Sequence, residues 1–144
     1  MSRKKRFSPS GRDSGGFVAL PWLVLESPAY RALSHPAKAL LIEVALQFHG
    51  DDNGRMVLTR KYLAPRGWNS ADVIHRATHE LLEAGFIYQT VIGMRPNKAA
   101  WYAVTWLSLD RLDGFDTGAA SGFVRSAYLG KTQPLVRETE QKGH

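Results

Sequence analysis

The chain has 144 residues, of which 44% are hydrophobic, no cysteine and a formal net charge of +6. That length supports one domain plus tails, and the lack of cysteine excludes disulfides and thiolate metal sites. No apolar run reaches the ~18–20 residues of a membrane span, and the start MSRKKR leads into SPSGRDSGG, with no apolar stretch of the signal-peptide kind. A soluble protein of the cytoplasm is the expectation.

The positive charge is unevenly spread. Arg3, Lys4, Lys5, Arg6 and Arg12 stand in the first twelve residues with no acid among them. Residues 13–53 hold two basic and five acidic side chains, so this part is acidic. Between Gly54 and Lys98 seven basic residues (Arg55, Arg60, Lys61, Arg66, Arg76, Arg95, Lys98) outnumber three acids. Residues 99–144 balance. Charge concentrated on an arm and on one central stretch points to a polyanion partner.

In chain order, residues 1–15 are polar and lack apolar periodicity, which predicts a disordered basic arm. Phe17–Leu25 is apolar and interrupted by Pro21, which predicts an extended segment over the core. Ser27-Pro28 signals a short helix over Ala29–Leu33. Ser34-His35-Pro36 opens a longer one, with Ala37, Leu40, Leu41, Val44, Ala45 and Phe48 on one face. HGDDNG (49–54) is a turn; it echoes a calcium loop but lacks the later glutamate.

Arg55–Leu58 is a strand candidate, and Thr59 caps a helix over Arg60–Ala64 that Pro65 and Gly67 close. Ser70 then caps a helix with Ile74, Ala77, Leu81 and Ala84 as its apolar stripe, flanked by Val73 and Leu82, and Gly85 suits the left-handed residue that stops it. Asp72, His75, Arg76 and His79 face the other way. Phe86–Ile92 and Ala99–Leu107, joined through GMRPNK, predict a hairpin. After Leu109 the pattern fades: Leu112, Phe115, Phe123 and Tyr128 are irregularly spaced, and Lys131–His144 reads as loose.

The stretch SADVIHRATHELLEAGFI resembles the recognition helix of winged helix-turn-helix proteins, which often reads Ser-x-x-Thr-Val-x-Arg-Ala-Leu-x-x-Leu-x-x-x-Gly-Leu-Ile. Ser70, Arg76, Ala77, Leu81, Gly85 and Ile87 fall on its positions without a gap; Val73, Ile74, Thr78 and Phe86 depart from it. From about Phe17 to Leu109 the chain is similar to short helix-turn-helix proteins of bacterial phages, plasmids and integrated elements. The resemblance implies a mainly α fold with a small β-sheet (α+β). It divides the chain into an arm (1–15), a winged helix-turn-helix domain (16–109) and a partly ordered extension (110–144).

It also implies sequence-selective binding of double-stranded DNA, in the bacterial cytoplasm and on the nucleoid when bound, with a role in transcription regulation or DNA replication on a mobile element. The Ser70–Ala84 helix would enter the major groove and the wing (Ile92–Ala99) would hold the backbone. The expected DNA-binding residues are Arg60, Lys61, Arg66, Asn69, Ser70, Asp72, His75, Arg76, His79, Arg95 and Lys98. Arg60, Lys61 and Arg66 suit phosphates, Arg76 either guanine or phosphate, and Arg95 and Lys98 the wing contact.

Two other readings stand beside this one. Winged helices also serve as protein-docking modules, as replication adaptors or anti-defence proteins, and Asp72, Glu80 and Glu83 on the reading helix favour that reading. A metal sensor through His75 and His79, with Asp72 nearby, lacks a third strong ligand. The aromatic residues match core positions, with Trp68 before the cap as the exception. No phosphate-binding glycine loop, GxSxG or carboxylate pair points to an enzyme or to a cofactor. A homodimer is open, although no heptad is visible.

Overall fold

The computed structural model describes residues 11–94 and 97–130. Five helices precede the sheet: α1 (Trp22–Glu26), α2 (Pro28–Arg31), α3 (His35–Leu46), α4 (Arg60–Leu63) and α5 (Ala71–Ala84). Hydroxyl side chains set four of the five starts. Ser27, Ser34, Thr59 and Ser70 each accept a hydrogen bond from the backbone N–H three residues on, at 3.1–3.2 Å. Each bond satisfies one of the donors that a first helical turn leaves without an internal partner. Pro28 and Pro36 lie in first turns, where a missing N–H costs nothing.

Helix α1 corrects the extended segment expected over Phe17–Leu25. Pro21 sits at the N-cap with φ −61°, and its carbonyl accepts from Val24 and Leu25 at 3.0 and 3.3 Å. A proline at a helix entrance starts the helix, so Pro21 opens a turn where an extended chain was expected. Helices α2 and α4 stop before the ends expected of them. A 3-10 turn, Ala64–Arg66, carries α4 into Gly67, which takes the left-handed conformation at φ 99°.

The sheet is a two-stranded antiparallel hairpin, β1 (Ile87–Val91) and β2 (Trp101–Val104). Its register pairs Ile87 with Val104, Tyr88 with Ala103, Gln89 with Tyr102 and Val91 with Trp101, leaving Thr90 in a bulge. The bulge aims the buried Thr90 hydroxyl at the Gly54 carbonyl, 2.5 Å away.

The strand expected at Arg55–Leu58 is reduced to a single bridge, in which Met56 and Tyr102 exchange both backbone bonds at 3.0 and 2.8 Å. The reason lies at Val57. The Gln47 side-chain amide takes its N–H and its C=O, both at 2.8 Å, so a side chain from the end of α3 does the work of a neighbouring strand.

The core lies between α3, α5 and the sheet. Helix α3 contributes Ala37, Leu40, Leu41, Val44 and Ala45; α5 contributes Ile74, Ala77 and Leu81; Met56, Leu63, Phe86 and Val104 close it. The chain after β2 packs back on this unit through a short helix α6 (Ala119–Gly122). Tyr88 donates its hydroxyl to Ala119 at 2.7 Å, and Tyr128 stacks on Phe86 with centroids 4.9 Å apart. Gly85 ends α5 at φ 86° and also accepts this return: a Cβ there would lie 2.8 Å from the backbone of Ala127 and Tyr128. Glycine is required there for both reasons.

Asn53 is fully buried. Its Nδ2 donates to the carbonyls of Val104, Leu107 and Ser108 at 3.0–3.2 Å, and its Oδ1 accepts from Val104 N–H at 2.9 Å. Its own backbone pairs with Asp110 on both sides. Removing the amide strands several polar groups in the interior, where each unsatisfied group is costly. Asn53→Ala is therefore expected to lower unfolding stability by about 2–4 kcal/mol in a urea titration, against a change within about 0.5 kcal/mol for the exposed Asn69→Ala. Equal effects would show that the network is dispensable.

Candidate nucleic-acid interface

Helix α5 is amphipathic, and its outward face is where the expected readers lie. Asp72, His75, Arg76 and His79 are all exposed, as is Asn69 just before the cap. The Ser70 hydroxyl is occupied by Val73 N–H, which makes Ser70 the cap of the helix. Arg76 donates from Nε to Asp72 Oδ2 at 3.0 Å across one turn, and its two Nη groups have no partner among the described residues. The His75 and His79 rings lie side by side with centroids 5.2 Å apart. Among the described residues no three His, Cys, Asp or Glu side chains come together to hold a metal ion.

The turn into α5 is held by charged side chains. Glu43 of α3 binds Arg66 through Oε1 and accepts from the Trp68 indole N–H through Oε2 at 3.3 Å. The bond to Glu43 also raises the Arg66 guanidinium above its ordinary pKa. Arg60 donates to the Asn69 carbonyl at 3.1 Å, which ties the start of α4 to the residue before the α5 cap. Arg60 and Arg66, expected as phosphate contacts, thus fix the corner between α4 and α5, while Lys61 is exposed with no ion pair among the described residues. Trp68 is explained by the same corner: its N–H is bonded to Glu43 and its ring packs on the core.

The acids on α5 are not equivalent. Glu80 turns to the start of α3, accepting from Ser34 N–H and from Ser34 Oγ, both at 2.7 Å. The Ser34 hydroxyl caps α3 and donates to Glu80 in one arrangement, the reciprocal logic of a capping box supplied from another helix. Asp72 is paired with Arg76, and Glu83, near the far end of the outward stripe, has no hydrogen bond or ion pair among the described residues.

Arg55 leaves the basic set altogether. Its guanidinium lies over Trp101 and Phe115 at 4.8 and 5.7 Å from the ring centroids and donates to the carbonyls of Arg111 and Asp113.

At the hairpin end, Met94 and Lys98 exchange both backbone bonds at 2.8 Å and leave the Lys98 side chain exposed. Among the described residues no hydrogen bond or ion pair joins it to α5. Arg95 and the basic arm residues Arg3–Arg6 lie outside the described residues. Glu43 and Glu80, which hold the corner and the neighbouring helix start, escape a sequence reading because their partners are 23 and 46 positions away.

No family model, no curated protein and no solved structure matches the chain. Glu80→Ala is expected to lower stability by about 1 kcal/mol, because it removes two charge-assisted bonds at a solvent-exposed helix start. Glu83→Ala, on the outward face, should leave the urea midpoint nearly unchanged. The reverse order would mean that Glu80 does not anchor α3.

Proposed function

We propose that the protein is a winged helix-turn-helix that binds double-stranded DNA with sequence selectivity, α4 and α5 forming the helix-turn-helix and the β1–β2 hairpin the wing. One observation carries the reading. Helix α5 is capped, packed by Ile74, Ala77 and Leu81, and braced at its entrance by Glu43, yet its outward face spends none of His75, His79 and the Arg76 Nη groups on the fold. A rigid helix with open donors near its N-terminal end has the geometry by which such motifs read base edges. Glu83 lies on the order of 16 Å along the axis from Asp72, which keeps it away from the reading end.

Arg76 can present both Nη groups to a guanine edge while Asp72 holds its Nε. Lys61, Lys98 and Arg95 are the phosphate contacts of this arrangement, with the basic arm adding affinity that carries no sequence information. Arg60 and Arg66 serve by fixing the corner. The setting that fits the resemblance to proteins of mobile elements is regulation of transcription or of replication there.

The test is selection of bound duplexes from a random pool, followed by titration of the selected site. Arg76→Ala is expected to weaken that complex by about 1–3 kcal/mol with an unchanged fold, and to relax the preference at one base pair. Unchanged affinity would refute the placement of α5 in the groove. Replacing Lys61 and Lys98 with Glu should lower affinity for all duplexes alike and flatten the dependence of log affinity on log salt. Retained binding would remove the hairpin from the interface.

A further inference from the structure

After its exposed first residue His35, helix α3 shows an uncharged side to solvent. Its inward face is core, and its outward positions Pro36, Ala39, Ile42 and Leu46 are exposed and uncharged. Only Lys38 and Glu43 in α3 carry a formal charge, and both are engaged within the chain: Lys38 lies 5.2 Å over the Tyr30 ring, and Glu43 holds Arg66 and Trp68. The outward side of a surface helix is ordinarily polar, so this exposed uncharged stripe calls for a partner.

Beside it runs an apolar groove of about 700 Å³, lined among others by Phe17, Val18, Pro21, Leu46, Phe48 and Trp106. Trp22 follows the groove residue Pro21 and stands 77% exposed; Leu23 next to it is 57% exposed. One turn before the groove residue Leu46 is the exposed Ile42.

We infer that this face is the contact between two copies of the chain, Trp22 of each copy entering the groove of the other. Two observations select a second copy as the occupant. A two-fold contact needs a projection and a recess on the same patch of one chain, and α1 and the groove supply them one residue apart. Phe17, Trp22, Leu23, Ile42 and Leu46 leave on the order of 500 Å² of side chain open, so two copies would cover about 1,000 Å², the apolar centre of an interface of ~1,200–2,000 Å².

The inference does not depend on DNA binding, and its test contains no DNA. The full-length protein is examined by sedimentation equilibrium up to roughly 100 µM, a range that detects micromolar association. The expected result is a dimer, with Trp22→Ser and Ala39→Lys each weakening association at least about tenfold, as loss of a central anchor does. Circular dichroism of dilute samples should show both variants folded. If Trp22→Ser fails to fold, Ala39→Lys alone decides, because an exposed alanine has no core role. A wild-type monomer throughout the range overturns the inference, and so do variants that dimerise as the wild type does. A monomer that dimerises only when residues 131–144 are deleted would assign the groove to the chain's own C-terminal segment, which also overturns it.

Discussion

One buried amide holds the strand side of this protein to its helical side. Asn53 sits in the turn that follows α3, and its side chain closes on the end of β2 and on Leu107 and Ser108 beyond it. The residue after it, Gly54, receives the Thr90 hydroxyl from the bulge of β1, and Met56 then forms the single bridge to Tyr102. Four residues of loop thus touch both strands. The interior is of low polarity, so such a network is strong when complete and costly when any member is lost. The hairpin has two strands and would be marginal alone; its position against α3 and α5 rests on this loop.

Polar side chains divide between holding the fold and facing solvent, and the division separates two surfaces. On the α4–α5 corner, Glu43, Arg66, Arg60 and the Trp68 indole are bonded to one another or to backbone, and the same is true of Glu80 with Ser34. What remains open on α5 is the His75 and His79 rings and the Arg76 Nη groups, with the exposed Glu83 near the far end. On α3 the charges are engaged as well, but what remains open there is aliphatic, beside the exposed aromatic rings of Phe17 and Trp22. One surface is suited to a hydrated, charged ligand and the other to dry contact.

Much of the local structure was legible in the sequence. The hydroxyl caps, the Pro in the first turns, the α5 stripe and the stop at Gly85 are signals carried by residues within a few positions of one another, and all of them match the structure. The mixed α+β architecture followed from them. What the sequence concealed depends on distant partners. Gln47 replaces a strand at Val57, Asn53 reaches Leu107, and Arg55 leaves the basic surface for Trp101 and Phe115. Local patterns cannot show that a charged or amide side chain will be spent inside the fold. The outward face of α3 was overlooked for a different reason: the inward stripe accounts for the helix, so Ala39, Ile42 and Leu46 raise no question until exposure is known.

The return of the chain over Gly85 has a consequence for how the protein is made. Phe86 is fully buried, and part of its cover is Tyr128; Thr105 takes Ser126 N–H at 2.6 Å. Synthesis runs from the N-terminus, at about 5–20 residues per second. The helices and the hairpin therefore leave the ribosome before their cover does. Until residues 126–128 emerge, the base of α5 shows a bare aromatic ring and an unanswered carbonyl. A messenger cut short between Asp110 and Ser126 would yield a chain that keeps the Asn53 partners and has an adhesive spot at the foot of α5. Residues 126–128 act as a seal, closing the nascent chain against its neighbours.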